Sequence, residues 1–167
     1  MKKFLLVFVF ILGMLSSCTS NETTTYYLIR HAEKDRTDET NRNPDLNENG
    51  LKRAENWAKY FDKIDIDAVY STDYNRTQQT AKPTAESKEL NIINYDPKKM
   101  NDSIFEQATK GKTVLVVGHS NTTPAFVNSL LGEKKYEDMD DHNNASLYIV
   151  TIIGDKKTSI VEKIDSH

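Results

Sequence analysis

The chain has 167 residues, of which 37% are hydrophobic and 28% are charged, and this composition fits one globular domain better than two. Its formal net charge of -3 excludes the strongly basic surface that most nucleic-acid-binding proteins present, so we predict no nucleic-acid partner. A single cysteine, Cys18, excludes an intramolecular disulfide, so the fold has to be stabilised by its core alone.

The first 17 residues have the features of a secretory signal. Two lysines precede an apolar run over residues 4–12, and small residues follow up to Cys18. A membrane-anchoring helix is the alternative, but the apolar run is shorter than the ~20 residues that cross a bilayer. The segment Leu15-Ser16-Ser17-Cys18 resembles the lipobox of bacterial lipoproteins, in which the signal is cleaved before a cysteine that then carries a lipid.

These features predict three parts of the chain. Residues 1–17 would be a lipoprotein-type signal peptide, and residues 18–25 would be the lipidated Cys18 and a polar tether. Residues 26–167 would form the folded domain. The expected location is the bacterial cell envelope, with the domain outside the cytoplasm and the lipid on Cys18 inserted in a membrane.

From Tyr26 onward, strand-like and helix-like patterns alternate, which is typical of an α/β layered fold. The first strand ends at Arg30 and is followed by a long polar loop. A helix is predicted over residues 48–61 with Asn47 as its N-cap, because apolar residues recur at helical spacing after that residue. A short strand then ends at residues 71–72.

The second half continues the alternation. A helix over 74–90 contains Pro83, where we expect a kink because proline lacks the amide hydrogen. The uninterrupted apolar run over 113–117 indicates a strand buried on both faces of a parallel sheet. The remaining predicted elements are a short strand at 91–95, a helix over 103–110 with a Ser103–Glu106 capping box, a helix over 123–131 ended by Gly132, and a C-terminal hairpin of strands 146–153 and 158–164.

Cationic and imidazole groups collect where the predicted strands end. Arg30 and His31 follow the first strand, Arg76 follows the second, and His119 follows the buried strand. Because the carboxyl ends of parallel strands meet at one edge of a sheet, these four residues are expected to converge. Such a cluster repels itself unless it binds an anion, and phosphate suits arginine forks beside a helix N-terminus.

The motifs at these strand ends resemble those of the histidine phosphatase superfamily, also called phosphoglycerate mutase-like. The resemblance runs from about Tyr26 to Gly132 and rests on three ordered segments: Tyr27-Leu28-Ile29-Arg30-His31-Ala32, then Tyr70-Ser71-Thr72 with Arg76 and Gln79-Thr80-Ala81, then Val116-Val117-Gly118-His119-Ser120. It implies a three-layer α/β sandwich with a mostly parallel central sheet, helices on both faces and a C-terminal β-hairpin.

The resemblance also implies a covalent reaction. His31 would attack the phosphorus of a phosphomonoester to form a phosphohistidine, while Arg30, Arg76 and His119 bind the phosphoryl oxygens. Water would then release phosphate. Neither a metal ion nor an organic cofactor is implied, because the arginines neutralise the charge that a magnesium ion would otherwise neutralise.

The residue that protonates the leaving group is left open. The candidate acids are Asp96, Glu33, Asp102 and Glu106, and a dedicated acid is not required if the natural leaving group is a good one. Two alternatives to a phosphatase also stay open. One is a protein of the same fold that binds a phosphorylated ligand without turnover, and the other is a phosphotransferase or mutase.

The expected partner of the site is a small phosphorylated substrate or a phosphorylated protein. Selectivity would come from the loops over residues 33–46 and 96–106, and neither loop has a recognisable substrate signature. The sequence does not predict the oligomeric state.

Overall fold

The structure is a computed structural model that describes residues 22–164. Strands and helices alternate along most of the chain, as the sequence predicts. The elements are β1 (Thr23–Arg30), α1 (Glu48–Phe61), β2 (Ala68–Ser71), α2 (Asn75–Ser87), β3 (Ile92–Asn94), α3 (Ser103–Thr109), β4 (Thr113–Gly118), α4 (Thr122–Leu131), β5 (Ser146–Ile153) and β6 (Lys156–Lys163).

The strands form one sheet in the order β3-β2-β4-β1-β5-β6. The first four strands of that order pair in parallel. Strand β5 pairs antiparallel with β1 and with β6, so β5 and β6 form the predicted C-terminal hairpin at one edge of the sheet. The predicted mostly parallel sheet with a terminal hairpin is therefore confirmed.

Side chains alternate between the two faces of the sheet, and each face carries a hydrophobic core. On one face, residues such as Leu28 and Val116 pack with Phe105 of α3 and Phe126 of α4. On the other face, the residues next to them in the strands pack with Trp57 of α1 and with the buried side of α2. Helices thus cover both faces, which confirms the three-layer architecture.

The strand register brings the ends of β1, β2 and β4 to one edge of the sheet. Arg30 at the end of β1 lies opposite Gly118 at the end of β4, and Ser71 at the end of β2 lies opposite Val117. The residues that follow these strands consequently leave the sheet side by side, which is what positions the candidate site.

Two predicted helix boundaries differ from the structure. The second helix ends at Ser87 rather than at residue 90, because Glu89 adopts a left-handed backbone conformation with φ of 55°. The N-cap of α3 is Asp102 rather than Ser103, and its carboxylate accepts a hydrogen bond from the amide of Phe105. The cap predicted at Asn47 is present, with its side chain accepting from the amide of Gly50.

Over residues 22–164 we find no helix that is both long enough and apolar enough to cross a membrane. The predicted signal peptide and Cys18 lie outside the described residues.

Candidate active site

A cavity of about 340 Å³ opens at the edge of the sheet where β1, β2 and β4 end. All four residues predicted for the phosphate site line this cavity. Its walls are formed by Arg30, His31, Lys34, Tyr74, Arg76, Pro97, His119, Ser120, Asn121, Thr122 and Asp141. The expected convergence therefore occurs, and three separate strand ends supply the lining.

His31 is held rigidly at the end of β1. Its amide donates to the carbonyl of Gly118 at 2.9 Å, and its own carbonyl accepts from the side chain of Asn144 at 2.7 Å. The ring Nδ1 lies 2.7 Å from the carbonyl oxygen of Ala32. Because a carbonyl only accepts, Nδ1 carries the proton and Nε2 presents a lone pair to the cavity.

The surroundings keep His31 neutral. Burial lowers the pKa of His31 to about 3, and the positive charges of Arg30 and Arg76 act in the same direction. The side chain is only 3% exposed. At neutral pH the imidazole is therefore unprotonated at Nε2, which is the form that can attack phosphorus.

His119 faces His31 across the cavity, with 5.5 Å between the ring centroids. Burial lowers its pKa to about 4, again with help from Arg76 and Arg30. Its Nδ1 lies 3.4 Å from the guanidinium of Arg76, which can only donate, so Nε2 carries the proton and donates to Thr72 Oγ1 at 2.9 Å.

The hydroxyl of Thr72 continues this chain of hydrogen bonds into the protein. Thr72 Oγ1 donates to Thr77 Oγ1 at 3.0 Å, and Thr77 Oγ1 donates to the carbonyl oxygens of Thr72 and Tyr74. The turn between β2 and α2 thereby fixes the orientation of the His119 ring.

Arg76 has unused hydrogen-bonding capacity. Its guanidinium stacks on the Tyr74 ring at 4.5 Å, and its Nη2 contacts His119. Its Nε and Nη1 are buried and have no partner among the described residues. Buried donors of this kind normally find an acceptor, so these two indicate a place for an anion.

Arg30 is 2% exposed and joins the cavity to the loop that precedes β5. Its Nη1 donates to the carbonyl of Asp140 at 2.9 Å and approaches that of Asn143 at 3.4 Å. Its Nη2 forms an ion pair with the carboxylate of Asp141 at 2.6 Å, while its Nε is buried without a partner. Arg30 thus anchors this loop and keeps one donor for a ligand.

Gly118 is required where β4 leaves the sheet. A Cβ at this position would lie about 3.0 Å from the hydroxyls of Thr122, Thr123 and Tyr95. The close approach brings the backbone of β4 against the start of α4. It also allows the amide of His119 to donate to Thr122 Oγ1 at 2.9 Å.

A second cavity of about 500 Å³ adjoins the first one. Both cavities are lined by His31, Lys34 and Asp141. The further walls of the second cavity come from the loop between β1 and α1 and from His142 and Asn144. A phosphorylated ligand bound in the first cavity would therefore have space for its remaining part in the second.

None of the four candidate acids lines the first cavity, called the phosphate cavity below, although Glu33 lines the second. Glu33 is held by Arg53 through three contacts of 2.7–2.9 Å, and Asp102 caps α3. Asp96 lines a different, largely apolar cavity and accepts from the amide of Lys98. Glu106 is exposed on α3.

Sequence reasoning missed Asp141 and Lys34 as parts of the site. Asp141 lies in a run of polar residues that has the composition of a solvated loop. The available signal was physical, since a buried arginine such as Arg30 requires a counter-ion, but nothing in the sequence selects one carboxylate among 25 acidic residues. Within residues 22–164, no group of three or more His, Cys, Asp or Glu is arranged to hold a metal ion.

Comparison with known proteins agrees with the fold and the motifs. Residues 26–97 match the model of the histidine phosphatase superfamily, branch 1. No curated protein sequence is significantly similar to the chain.

Solved structures of similar fold cover nearly all of the described chain. A protein assigned as the phosphohistidine phosphatase SixA from Agrobacterium tumefaciens is 22% identical, with a TM-score of 0.62 over 82% of this chain and 96% of that chain. The phosphoglycerate mutase from Bacillus anthracis str. Sterne is 16% identical, with a TM-score of 0.64 over 87% and 94%. The protein histidine phosphatase SixA complexed with tungstate is 17% identical, with a TM-score of 0.65 over 83% and 96%.

Residues 26–97 match the histidine phosphatase superfamily, and the chain shares its fold with the solved structures named above. The resemblance to the histidine phosphatase superfamily is confirmed, by sequence over residues 26–97 and by fold over more than four fifths of the chain. The two arginines and two histidines of the motifs line one cavity of this fold.

Proposed function

We propose that this protein is a phosphatase that hydrolyses phosphomonoesters through a phosphohistidine on His31. The proposal rests on a neutral histidine that lies next to an anion-binding site formed by two arginines. A neutral imidazole with a free Nε2 lies beside the guanidinium groups of Arg30 and Arg76, which together have three buried N–H donors without partners among residues 22–164.

In the first step, Nε2 of His31 forms a bond to phosphorus while the ester P–O bond breaks. Arg30 and Arg76 neutralise the charge on the phosphoryl oxygens, and His119 can donate a hydrogen bond once it gains a proton at Nδ1. The proton stays on Nδ1 of His31 throughout and is donated in a hydrogen bond to the carbonyl of Ala32. In the second step, water attacks phosphorus and the P–N bond breaks, which releases phosphate and restores neutral His31.

The substrate class we propose is a small phosphorylated compound or a phosphorylated protein. The proteins named SixA among the similar structures are described as histidine phosphatases, and one is complexed with tungstate, a tetrahedral oxyanion like phosphate. We propose that the enzyme works in the bacterial cell envelope, tethered by a lipid on Cys18, and that it needs no metal ion and does not act on nucleic acid.

Hydrolysis of an aryl phosphate tests the proposal. The full-length protein in detergent is expected to release phosphate from 4-nitrophenyl phosphate, and His31→Ala is expected to reduce kcat by several orders of magnitude because the covalent path is lost. His167→Ala replaces a histidine at the end of the chain and serves as the matched control.

Two results would count against the proposal. Undiminished turnover by His31→Ala would exclude His31 as the nucleophile. Tight binding of tungstate without any hydrolysis by the wild type would favour a binding protein of the same fold instead.

A further inference from the structure

The proposed reaction needs a proton for the departing oxygen, and this inference rests on that proposed function. An alcohol leaves poorly as an alkoxide, so a positioned acid raises the rate by ~10²–10⁴-fold. The four carboxylates considered from the sequence are each engaged elsewhere or exposed, as described above. For an alcohol leaving group, the acid therefore has to come from another position.

Among residues 22–164, Asp141 is the one carboxylate that lines the phosphate cavity. The other lining groups of that cavity are cationic, imidazole, hydroxyl, amide or apolar. Asp141 therefore lies where a bound phosphomonoester would meet a carboxyl group. Glu33 and Asp35 line the second cavity but not the first, so Asp141 is the one carboxylate of the described chain that lines both.

Asp141 is held in place by two arginines. Its Oδ1 accepts from Nη2 of Arg30 at 2.6 Å, and its Oδ2 accepts from Arg36 at 2.8 Å. The side chain is 55% exposed, so a solvent proton can reach it. The loop that carries it is fixed because Arg30 also binds the carbonyl of Asp140.

The position of Asp141 between the two cavities matches the path of a leaving group. Asp141 and His31 line both cavities, so a phosphoryl group in the first cavity with its alcohol part in the second would place the ester oxygen beside the carboxyl group. An acid that serves the leaving group has to be at that boundary.

Substrate binding changes the charge balance around Asp141. In the free protein, partial burial opposes ionisation, but hydrogen bonds from Arg36 and Arg30 hold the pKa of Asp141 below its usual value. A phosphoryl dianion bound to Arg30 brings negative charge next to the Asp141 carboxylate. It also competes with that carboxylate for hydrogen bonds from the Arg30 guanidinium. Both effects favour the protonated form of Asp141.

We propose that Asp141 is the proton donor to the leaving group. As the bond from His31 Nε2 to phosphorus forms and the ester P–O bond breaks, the Asp141 carboxyl proton moves to the departing oxygen and gives the alcohol. In the second step the Asp141 carboxylate takes a proton from water while the water oxygen bonds to phosphorus and the P–N bond breaks. Inorganic phosphate leaves, and both residues return to their starting forms.

Two aryl phosphates whose leaving groups differ in basicity test this role. Phenyl phosphate has a basic leaving group and needs the proton, whereas 2,4-dinitrophenyl phosphate leaves readily without one. Asp141→Asn keeps the oxygen that accepts from Arg30 but cannot transfer a proton. We expect it to lower kcat/KM for phenyl phosphate by ~10²-fold and to leave the dinitrophenyl ester largely unchanged.

Two further variants sharpen the test. Asp141→Glu retains a carboxyl group and is expected to recover part of the phenyl phosphate activity. Asp140→Asn is the matched control, because the Asp140 side chain is 77% exposed and its carbonyl, not its carboxylate, binds Arg30. It is expected to behave as wild type on both esters.

The ratio of the two kcat/KM values decides the outcome, since it does not depend on how much of a variant is folded. An equal loss on both esters would overturn the assignment and make Asp141 a residue that positions Arg30. A gain on both would overturn it too, since the carboxylate would then only compete with phosphate. Absence of turnover by the wild type would instead remove the proposed function, and this role with it.

Discussion

At the scale of single residues, the site depends on a histidine that is kept neutral while cations surround it. The carbonyl of Ala32 assigns the proton of His31 to Nδ1, and burial prevents a second proton from binding. The arginines therefore have two effects on one side chain. They lower the pKa of His31, and in the proposed reaction they bind the phosphoryl group that His31 attacks.

The burial of neutral His31 has a consequence for stability against acid. In the unfolded chain a histidine has a pKa near 6.5, whereas the pKa of His31 in the folded protein is about 3. Between these values the unfolded chain binds a proton that the folded protein does not, so the free energy of unfolding falls as the pH drops below 6.5. At pH 5, His31 alone should lower it by ~2 kcal/mol relative to pH 8.

Urea unfolding at pH 8 and pH 5, in buffers without phosphate, measures this loss. His31→Asn removes the titrating group, so its decrease in stability between the two pH values should be ~2 kcal/mol smaller than that of the wild type. If the free energy of unfolding decreased equally in the two proteins, His31 would not be neutral in the folded state at pH 5.

Individual site residues differ in how far the sequence predicts them. Arg30, His31, Arg76 and His119 follow strands in a recognisable order, so their convergence can be predicted. Asp141 could not be predicted, since its place beside Arg30 depends on how the loop before β5 folds back over the end of β1.

At the scale of elements, the loop after β1 is held against α1 by a close backbone contact. The carbonyl of Glu33 accepts from the amide of Asn47, and Gly50 in the first turn of α1 lies directly against the Glu33 backbone. This contact fixes the chain two residues after His31. The first turn of α1 is therefore part of the support of the site.

Replacing Gly50 with alanine tests this support. In an exposed helix the change would stabilise the protein by ~1 kcal/mol, because alanine is the better helix former. Here the new Cβ would overlap the carbonyl oxygen of Glu33, so we expect the free energy of unfolding to fall by ~1–3 kcal/mol and phosphatase activity to fall with it.

Lys52→Ala, at an exposed position of the same helix, is the control. It should change stability by less than ~0.5 kcal/mol and leave activity unaltered. A Gly50→Ala protein that is more stable than the wild type would mean that the loop is not packed against α1.

Most elements can be predicted because their signals are local. The cap at Asn47 and the apolar spacing after it predict α1, and the β-branched run predicts β4. The end of α2 could not be predicted, because Glu89 reverses the chain in a left-handed conformation that glutamate seldom adopts. At α3, two adjacent residues are both good caps, and the structure uses Asp102.

At the scale of the whole molecule, the site and the first residues of β1 lie at opposite ends of the same strand. Thr23–Thr25, which fall within the predicted tether, already belong to this strand. The chain enters β1 at Thr23 and the site begins at Arg30, so seven residue steps of extended chain separate them, or ~23 Å. A lipid on Cys18 would therefore be attached on the side of the end of β1 that lies away from the cavity.

The tether itself is tested by Cys18→Ala. Without the thiol there is no lipid, so the protein should move from the membrane fraction to the soluble fraction. Its kcat on 4-nitrophenyl phosphate should be unchanged, because the site lies at the far end of β1. Ser17→Ala, which keeps the cysteine, is the control, and retention of the Cys18→Ala protein in membranes would contradict a lipid anchor at this residue.

Trapping the covalent intermediate is the most direct test of the proposed mechanism. Acid-labile, base-stable phosphate should be trapped when the wild-type protein is mixed with a phosphate ester and quenched rapidly with base, and peptide mass spectrometry should place it on His31. The His31→Ala protein should trap none. Phosphate on another residue, or rapid hydrolysis by the wild type with no trapped phosphohistidine, would contradict the assignment of His31 as the nucleophile.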